Sequence, residues 1–150
     1  MMKHKSMRKE FSFFELYDRF IDANIKGKRL QPNGKHISAG TITNYRYTRK
    51  VLKDFSEKKR LELRIRPIRK LNISELNVEK NYWKKFYKRF TDYLYLDCGH
   101  FDNYVGQTIK NIKVFFNYLN KELVFEVGEF HKTFYVRKED IAIFPLMPVS

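Results

Sequence analysis

Thr43, Arg46, Lys50 and Lys53 recur at intervals of three and four residues. On a helix that spacing aligns them along one face. A rigid row of guanidinium, ammonium and hydroxyl groups suits the phosphate oxygens of a nucleic-acid strand. In a major groove, Arg and Lys also reach guanine edges. Asn44 and Arg49 flank the row and join it or not according to helix rotation. Spacing alone leaves open the alternative that this is the solvated face of a basic protein. A second group, Gln107, Lys110, Asn111 and Lys113, places amides that can pair with adenine edges beside two further cations. Thr108, in the same stretch, can donate to phosphate. For each of these residues the alternative is an exposed polar filler or a helix cap.

Other cations surround these groups. Lys28, Arg29, Lys35 and His36 lie in a loop and could contact backbone phosphates or simply solubilise the loop. The densest run is Lys58, Lys59, Arg60, Arg64, Arg66, Arg69 and Lys70, which alternates in part with Leu61, Leu63 and Ile65. It fits either a charged edge strand that resists pairing or a phosphate clamp. Tyr45, Trp83, Phe86, Phe90 and Phe116 read as core, whereas Tyr47, Tyr95 and Tyr104 are freer to bond sugar-phosphate groups.

Catalytic signatures are lacking. The four histidines, His4, His36, His100 and His131, offer no HxxxH pair, and Cys98 near His100 is an isolated coincidence. No glycine-rich phosphate loop, HExxH or GxSxG occurs. No metal or cofactor is expected, and a stand-alone nuclease would need a metal site that the sequence does not display.

Charge sets the class of partner. The chain has 31 Lys and Arg against 17 Asp and Glu, a net charge of +14 over 150 residues. Such a field draws the protein to polyanions, of which nucleic acid is the commonest large one. An acidic protein or an anionic membrane surface are the alternatives. A hydrophobic fraction of 43%, with 17% aromatic, is ample for a core. One cysteine excludes an internal disulfide framework. With no run of 18 apolar residues, no membrane span or membrane partner is expected. The basic start, MMKHKSMRKEF, has no apolar stretch behind it, which implies a cytoplasmic location.

These side chains need elements to position them. Residues 1–10 form a basic arm. Ser12 followed by Glu15 makes a capping signal ahead of a first helix over 13–25. Residues 26–40 read as a long loop. A second helix starts near Ser38 or Thr41 and buries Ile42, Tyr45, Thr48, Leu52 and Phe55. Residues 61–66 alternate and stop at Pro67, which predicts a short extended segment, and the excursion over 61–73 is expected on the outside of the molecule. Residues 68–78 are ambiguous, with a possible turn at Ser74. A third helix is expected over about 79–97 and a fourth from Asp102 or Asn103 to Glu122 or Leu123. The pattern therefore predicts a mainly α four-helix bundle over 11–123, with a short extended excursion between helices 2 and 3. Residues 124–150 read as a linker or the start of something longer, with possible extended pieces around Phe125 and Phe134 and a helical turn over 137–143.

The stretches FSFFELYDRFIDANI, ISAGTITNYRYTRKVLKDFSEKK, YWKKFYKRFTDYLY and NYVGQTIKNIKVFFNYLNKE, in that order, resemble the core-binding domain of tyrosine recombinases. They are most similar to integrases of phages and conjugative transposons of the Bacteroides type. Thr41 four positions before Tyr45, and the pair Thr108-Ile109 followed by Ile112, Lys113, Phe115 and Phe116, match the family's pattern. Leu146-Met147-Pro148 departs from the family's usual junction with its catalytic domain.

The resemblance implies a SAM-like helical fold that clamps double-stranded DNA beside the strand-exchange site. It places the DNA surface on the second and fourth helices and adds Thr41 to the residues already named. Full-length relatives cut DNA through a phosphotyrosyl intermediate formed in a following domain, so no catalytic residue is expected in this fragment. The implied partners are duplex DNA, the catalytic domain of the same full-length chain and other integrase protomers on DNA, in the cytoplasm at the nucleoid. The alternative is a non-catalytic helical module whose basic surface meets RNA or an acidic protein.

Overall fold

Ser12 closes a two-residue strand, β1 (Phe11–Ser12), and opens helix α1 (Phe13–Ile25). Its hydroxyl accepts the Glu15 backbone N–H at 3.3 Å, one of the orphan donors of a helix start. The computed structural model describes residues 10–122 and 126–135. After α1 the chain runs through α2 (Ala39–Lys58), β2 (Arg64–Ile65) and α3 (Ile73–Asp92). A π-helical turn (Tyr93–Asp97) then leads to α4 (Asp102–Lys121) and a 3₁₀ turn (Phe130–Thr133). The molecule is thus a mainly helical bundle of four helices with a short strand excursion between the second and third. Among the described residues no helix is long and apolar enough to cross a membrane.

Aromatic rings join the helices. Phe115 on α4 meets Phe13, Tyr17 and Phe20 of α1 at ring distances of 5.0, 4.8 and 5.6 Å. Phe55 of α2 meets Phe90 of α3 at 5.1 Å, and Trp83 of α3 stands edge-on to Phe116 of α4 at 5.0 Å. Edge-to-face pairs at such distances contribute beyond the area they bury. The Tyr17 hydroxyl donates to the Tyr45 carbonyl at 3.0 Å and so fastens α1 to α2. Burial pushes the Tyr17 phenol well above its ordinary range, which favours the protonated, donating form.

The expected bounds of α1, α2 and α4 agree with the structure, with Ser38 capping α2 through the Thr41 N–H at 3.1 Å. The third helix differs. It begins at Ile73, six residues before the expected 79, because Asn72 and Glu75 form a reciprocal capping box (3.0 and 2.8 Å). Its expected last turn, 93–97, is wound as a π turn.

The excursion at 61–66 also differs from expectation, since it does not lie outside the molecule. Arg64 and Ile65 pair antiparallel with Ser12 and Phe11, and Leu63 and Ile65 are buried in the core. Arg64 and Arg66 turn inward onto Glu79 of α3, a carboxylate with 0% exposure. Arg64 donates through both terminal nitrogens (Nη1 at 3.1 Å), and Arg66 through Nη1 at 3.4 Å. Arg66 also reaches Glu75 at 3.4 Å, and the Arg64 guanidinium lies 3.6 Å from the centre of the Tyr82 ring. A carboxylate this deep is stable only when it is paired.

Beyond α4, residues 126–135 belong to the helical body. Val127, His131 and Phe134 are buried, and Asn120 bridges to Val127 and Gly128 (2.8 and 2.9 Å). Gly128 suits this turn because its φ of +84° is a conformation that side chains with a Cβ rarely adopt. The extended piece expected near Phe125, the helical turn over 137–143, the junction at 146–148 and most of the arm 1–10 lie outside the described residues.

Glu79→Ala leaves two inward-facing arginines without their shared counter-charge. It is expected to lower unfolding stability by about 3–5 kcal/mol in urea denaturation. His131 gives a pH signature. Its Nε2 meets Asn117 Oδ1 at 2.9 Å, its ring stacks on Phe116, and its Nδ1 is buried with no partner among the described residues. Burial, with Lys113 and Lys132 adding to it, lowers its pKa to about 4. An unfolded histidine titrates near ~6.5, so this contribution is intact above that pH and is lost as pH falls towards 4. His131→Phe should therefore lose less stability than wild type between neutral and acidic pH, as followed by thermal melting.

Candidate nucleic-acid interface

Helices α2 and α4 meet directly through a polar contact inside the fold. Asn111 Nδ2 donates to the Thr48 hydroxyl at 3.0 Å, and both side chains are buried. Gln107 donates to Asn111 Oδ1 at 3.0 Å, which continues the chain of bonds to the surface of α4. Alongside, the Tyr47 and Tyr104 rings stand 5.8 Å apart in a T-shape. Burial, followed by the Tyr47 hydroxyl, pushes the Tyr104 phenol upward, so it is protonated at neutral pH. These contacts define one edge between the two helices. Asn44, three and four residues before Tyr47 and Thr48, shares it, and Lys110 lies one turn after Gln107. Thr43, Asn44, Tyr47, Gln107 and Lys110 are all exposed.

The cationic row of α2 lies elsewhere. Arg49 makes a two-pronged bond to Asp18 of α1 (2.6 and 3.2 Å) and sits over the Phe14 ring. Lys53 lies over the same ring at 4.9 Å and 3.8 Å from Glu57. Lys50 bonds Asp54 at 3.1 Å. Arg46 and Arg49 line a shallow groove of about 430 Å³ between α1 and α2 that also holds Asp18 and Asp22. The α1 flank of α2 therefore carries most of the expected row, and its charges are largely balanced where they stand. Arg46 is exposed and makes no ion pair among the described residues.

On α4 the expected group divides. Gln107 and Lys110 face outward, while Thr108 is buried with its hydroxyl on the Tyr104 carbonyl at 3.0 Å. Asn111 holds Thr48. Lys113 turns towards the 3₁₀ turn and donates to the Phe134 carbonyl at 2.9 Å. As placed, Thr108, Asn111 and Lys113 direct their polar groups to the protein itself. Thr41 is tied to Ser38 at the start of α2 (2.9 Å). No acidic residue stands in the first turn of that helix, which leaves its N-terminal field favourable to an anion.

Among the other candidates, Arg29 is a structural group. It bonds Asn24 and Glu122 and lies over Phe20 at 5.3 Å. His36 closes over Gly27 (φ +72°), where a Cβ would fall 2.5 Å from its ring. Lys28 and Lys35 are exposed. In the run 58–70, Lys58 and Lys59 meet Asp97 (3.8 and 3.1 Å) and Arg69 meets Glu126 (3.6 Å). With Arg64 and Arg66 on Glu79, this run forms neither a bare charged edge nor an open clamp. Tyr95 donates to Asp102.

A set of cations that the sequence reading passed over stands on α3. Lys80, Lys84 and Lys88 recur every four residues on its exposed side, and among the described residues only Lys88 has a carboxylate partner, Asp92. Their i, i+4, i+8 spacing was the available signal.

Compared with protein-family models, characterised proteins and solved structures, the chain shows no match.

The buried bond between α2 and α4 gives a stability test. Asn111→Ala strands the Thr48 hydroxyl and is expected to cost about 1–3 kcal/mol in urea unfolding. Adding Thr48→Val to that variant should cost less than the same change in wild type, as a double-mutant cycle reads it.

Proposed function

We propose that this chain is a double-stranded DNA-binding module of the kind that tyrosine recombinases use to grip DNA beside the strand-exchange site. One observation carries the reading: a chain of net charge +14 packs α2 and α4 side by side through Thr48 and Asn111. On this reading the exposed hydroxyl, amide and ammonium groups of the two helices act together beside that contact. The order of the four helices and the sequence resemblance support the same reading. Thr43, Asn44, Tyr47, Tyr104, Gln107 and Lys110 are the residues assigned to contact, with Arg46 and Lys50 on the adjoining ridge.

The chemistry is mostly positioning on phosphates. Hydroxyls and the α2 N-terminus offer neutral donors, and Lys110 and Arg46 add charge that displaces counterions. Asn44 and Gln107 are the side chains here able to pair with adenine edges. On this reading the module holds the duplex, and strand cleavage belongs to a catalytic domain of the same full-length chain, acting with other protomers on DNA.

Arg46→Ala combined with Lys110→Ala should weaken binding of a short labelled duplex at low salt by about tenfold or more, with a shallower dependence of affinity on salt. Circular dichroism should be unchanged, because both side chains are exposed. Duplex that fails to bind at low ionic strength, or binds the double variant as tightly as wild type, removes this assignment. Preference for a single-stranded RNA over the duplex moves the module to the RNA-binding class.

A further inference from the structure

Beside the 3₁₀ turn, α3 borders a groove of about 480 Å³ that shares no residue with the edge between α2 and α4. Ile68, Leu76, Trp83 and Phe130 supply its apolar surface, and Lys80 and Lys84 stand along it. Neither lysine has an ion pair among the described residues, although eleven carboxylates of the described chain do. Ile73, two turns before Lys80 on the same side of α3, is 79% exposed and extends the apolar strip. Solvent-facing isoleucine, a lined groove and two uncompensated cations together are more than the scattered surface apolar residues of an ordinary monomer.

We propose that this groove is a docking site for a protein segment that combines aliphatic or aromatic side chains with neighbouring carboxylates. The apolar side chains enter against Ile68, Leu76 and Phe130, and the carboxylates meet Lys80 and Lys84. Charge complementarity sets the sign of the partner, and the apolar lining sets its kind. Nucleic acid fits the groove less well. Bases bind by laying a face on an open aromatic ring, but Trp83 is 3% exposed and edge-on to Tyr82, Phe86 and Phe116. Amphipathic segments laid into apolar grooves are a common recognition mode, in which a few anchors carry most of the affinity.

The test uses the full chain and a labelled peptide, Asp-Glu-Asp-Leu-Ile-Ala-Phe, followed by fluorescence anisotropy. Saturable binding is expected, weakened about tenfold or more in Lys80→Glu/Lys84→Glu. A peptide with lysine at its three acidic positions should not bind wild type. Leu76→Gln should weaken binding without altering the salt dependence, which separates the apolar contribution from the charged one. The proposal is overturned if the acidic peptide shows no saturable binding, or if the charge-reversed protein, folded by circular dichroism, binds it equally well. Displacement of the peptide by an equimolar single-stranded oligonucleotide, retained in Arg46→Ala/Lys110→Ala, would overturn it in favour of a second nucleic-acid surface.

Discussion

Glu79 is the constraint around which one half of this molecule is arranged. A carboxylate with no exposure cannot stay ionised in an apolar interior without counter-charge. Arg64 and Arg66 supply it, and doing so draws the segment between α2 and α3 inward. With that segment in place, Leu63 and Ile65 enter the core and β2 pairs with β1. The Phe13 N–H then bonds the Leu63 carbonyl at 3.4 Å, so the start of α1 is tied to the same assembly. One buried acid thus links the first strand, the excursion and the third helix.

That arrangement also explains which parts of the fold were legible in the sequence. The stripe Phe13, Leu16, Tyr17, Phe20 and Ile21 and the stripe Tyr45, Thr48, Leu52 and Phe55 are both buried as their periodicity requires. Local rules sufficed there because each helix buries one face and a serine caps each start. They gave the extended segment before Pro67 but neither its inward position nor the start of α3. Alternating arginines normally face water, and nothing in residues 61–70 reveals a partner carboxylate fifteen positions further on. The start of α3 was missed because Asn72 and Glu75 form the cap while Ser74, the more conspicuous turn residue, lies inside the helix. At the candidate site, sequence identified the two helices that meet but not the rotation of each. Spacing places Arg46, Arg49 and Lys53 together, but it cannot say that Asp18 and Phe14 of α1 stand opposite them.

The surplus of positive charge is distributed unevenly. Asp18, Asp54, Glu57 and Asp97 each hold a cation of α2 or the residues just after it, so the most basic-looking helix in the sequence is partly screened by its own neighbours. Among the described residues, cations without such partners include Arg46, Lys110, Lys80 and Lys84. A binding surface depends on what remains after internal pairing, because a salt-bridged arginine must give up one carboxylate before it gains a phosphate. The edge between α2 and α4 accordingly rests on neutral donors as much as on charge.

Trp83 is the sole tryptophan of the chain, and it sits between the aromatic core and the apolar groove of α3. Its indole is sheltered from water and ringed by Tyr82, Phe86 and Phe116. The protein therefore contains its own optical reporter, whose emission colour follows the wetness of a single place. Loosening of α3 from α4 would shift that emission to the red, while events confined to the distant face of α2 would leave it unchanged. One intrinsic signal can thus distinguish, without a label, which side of the molecule has been disturbed.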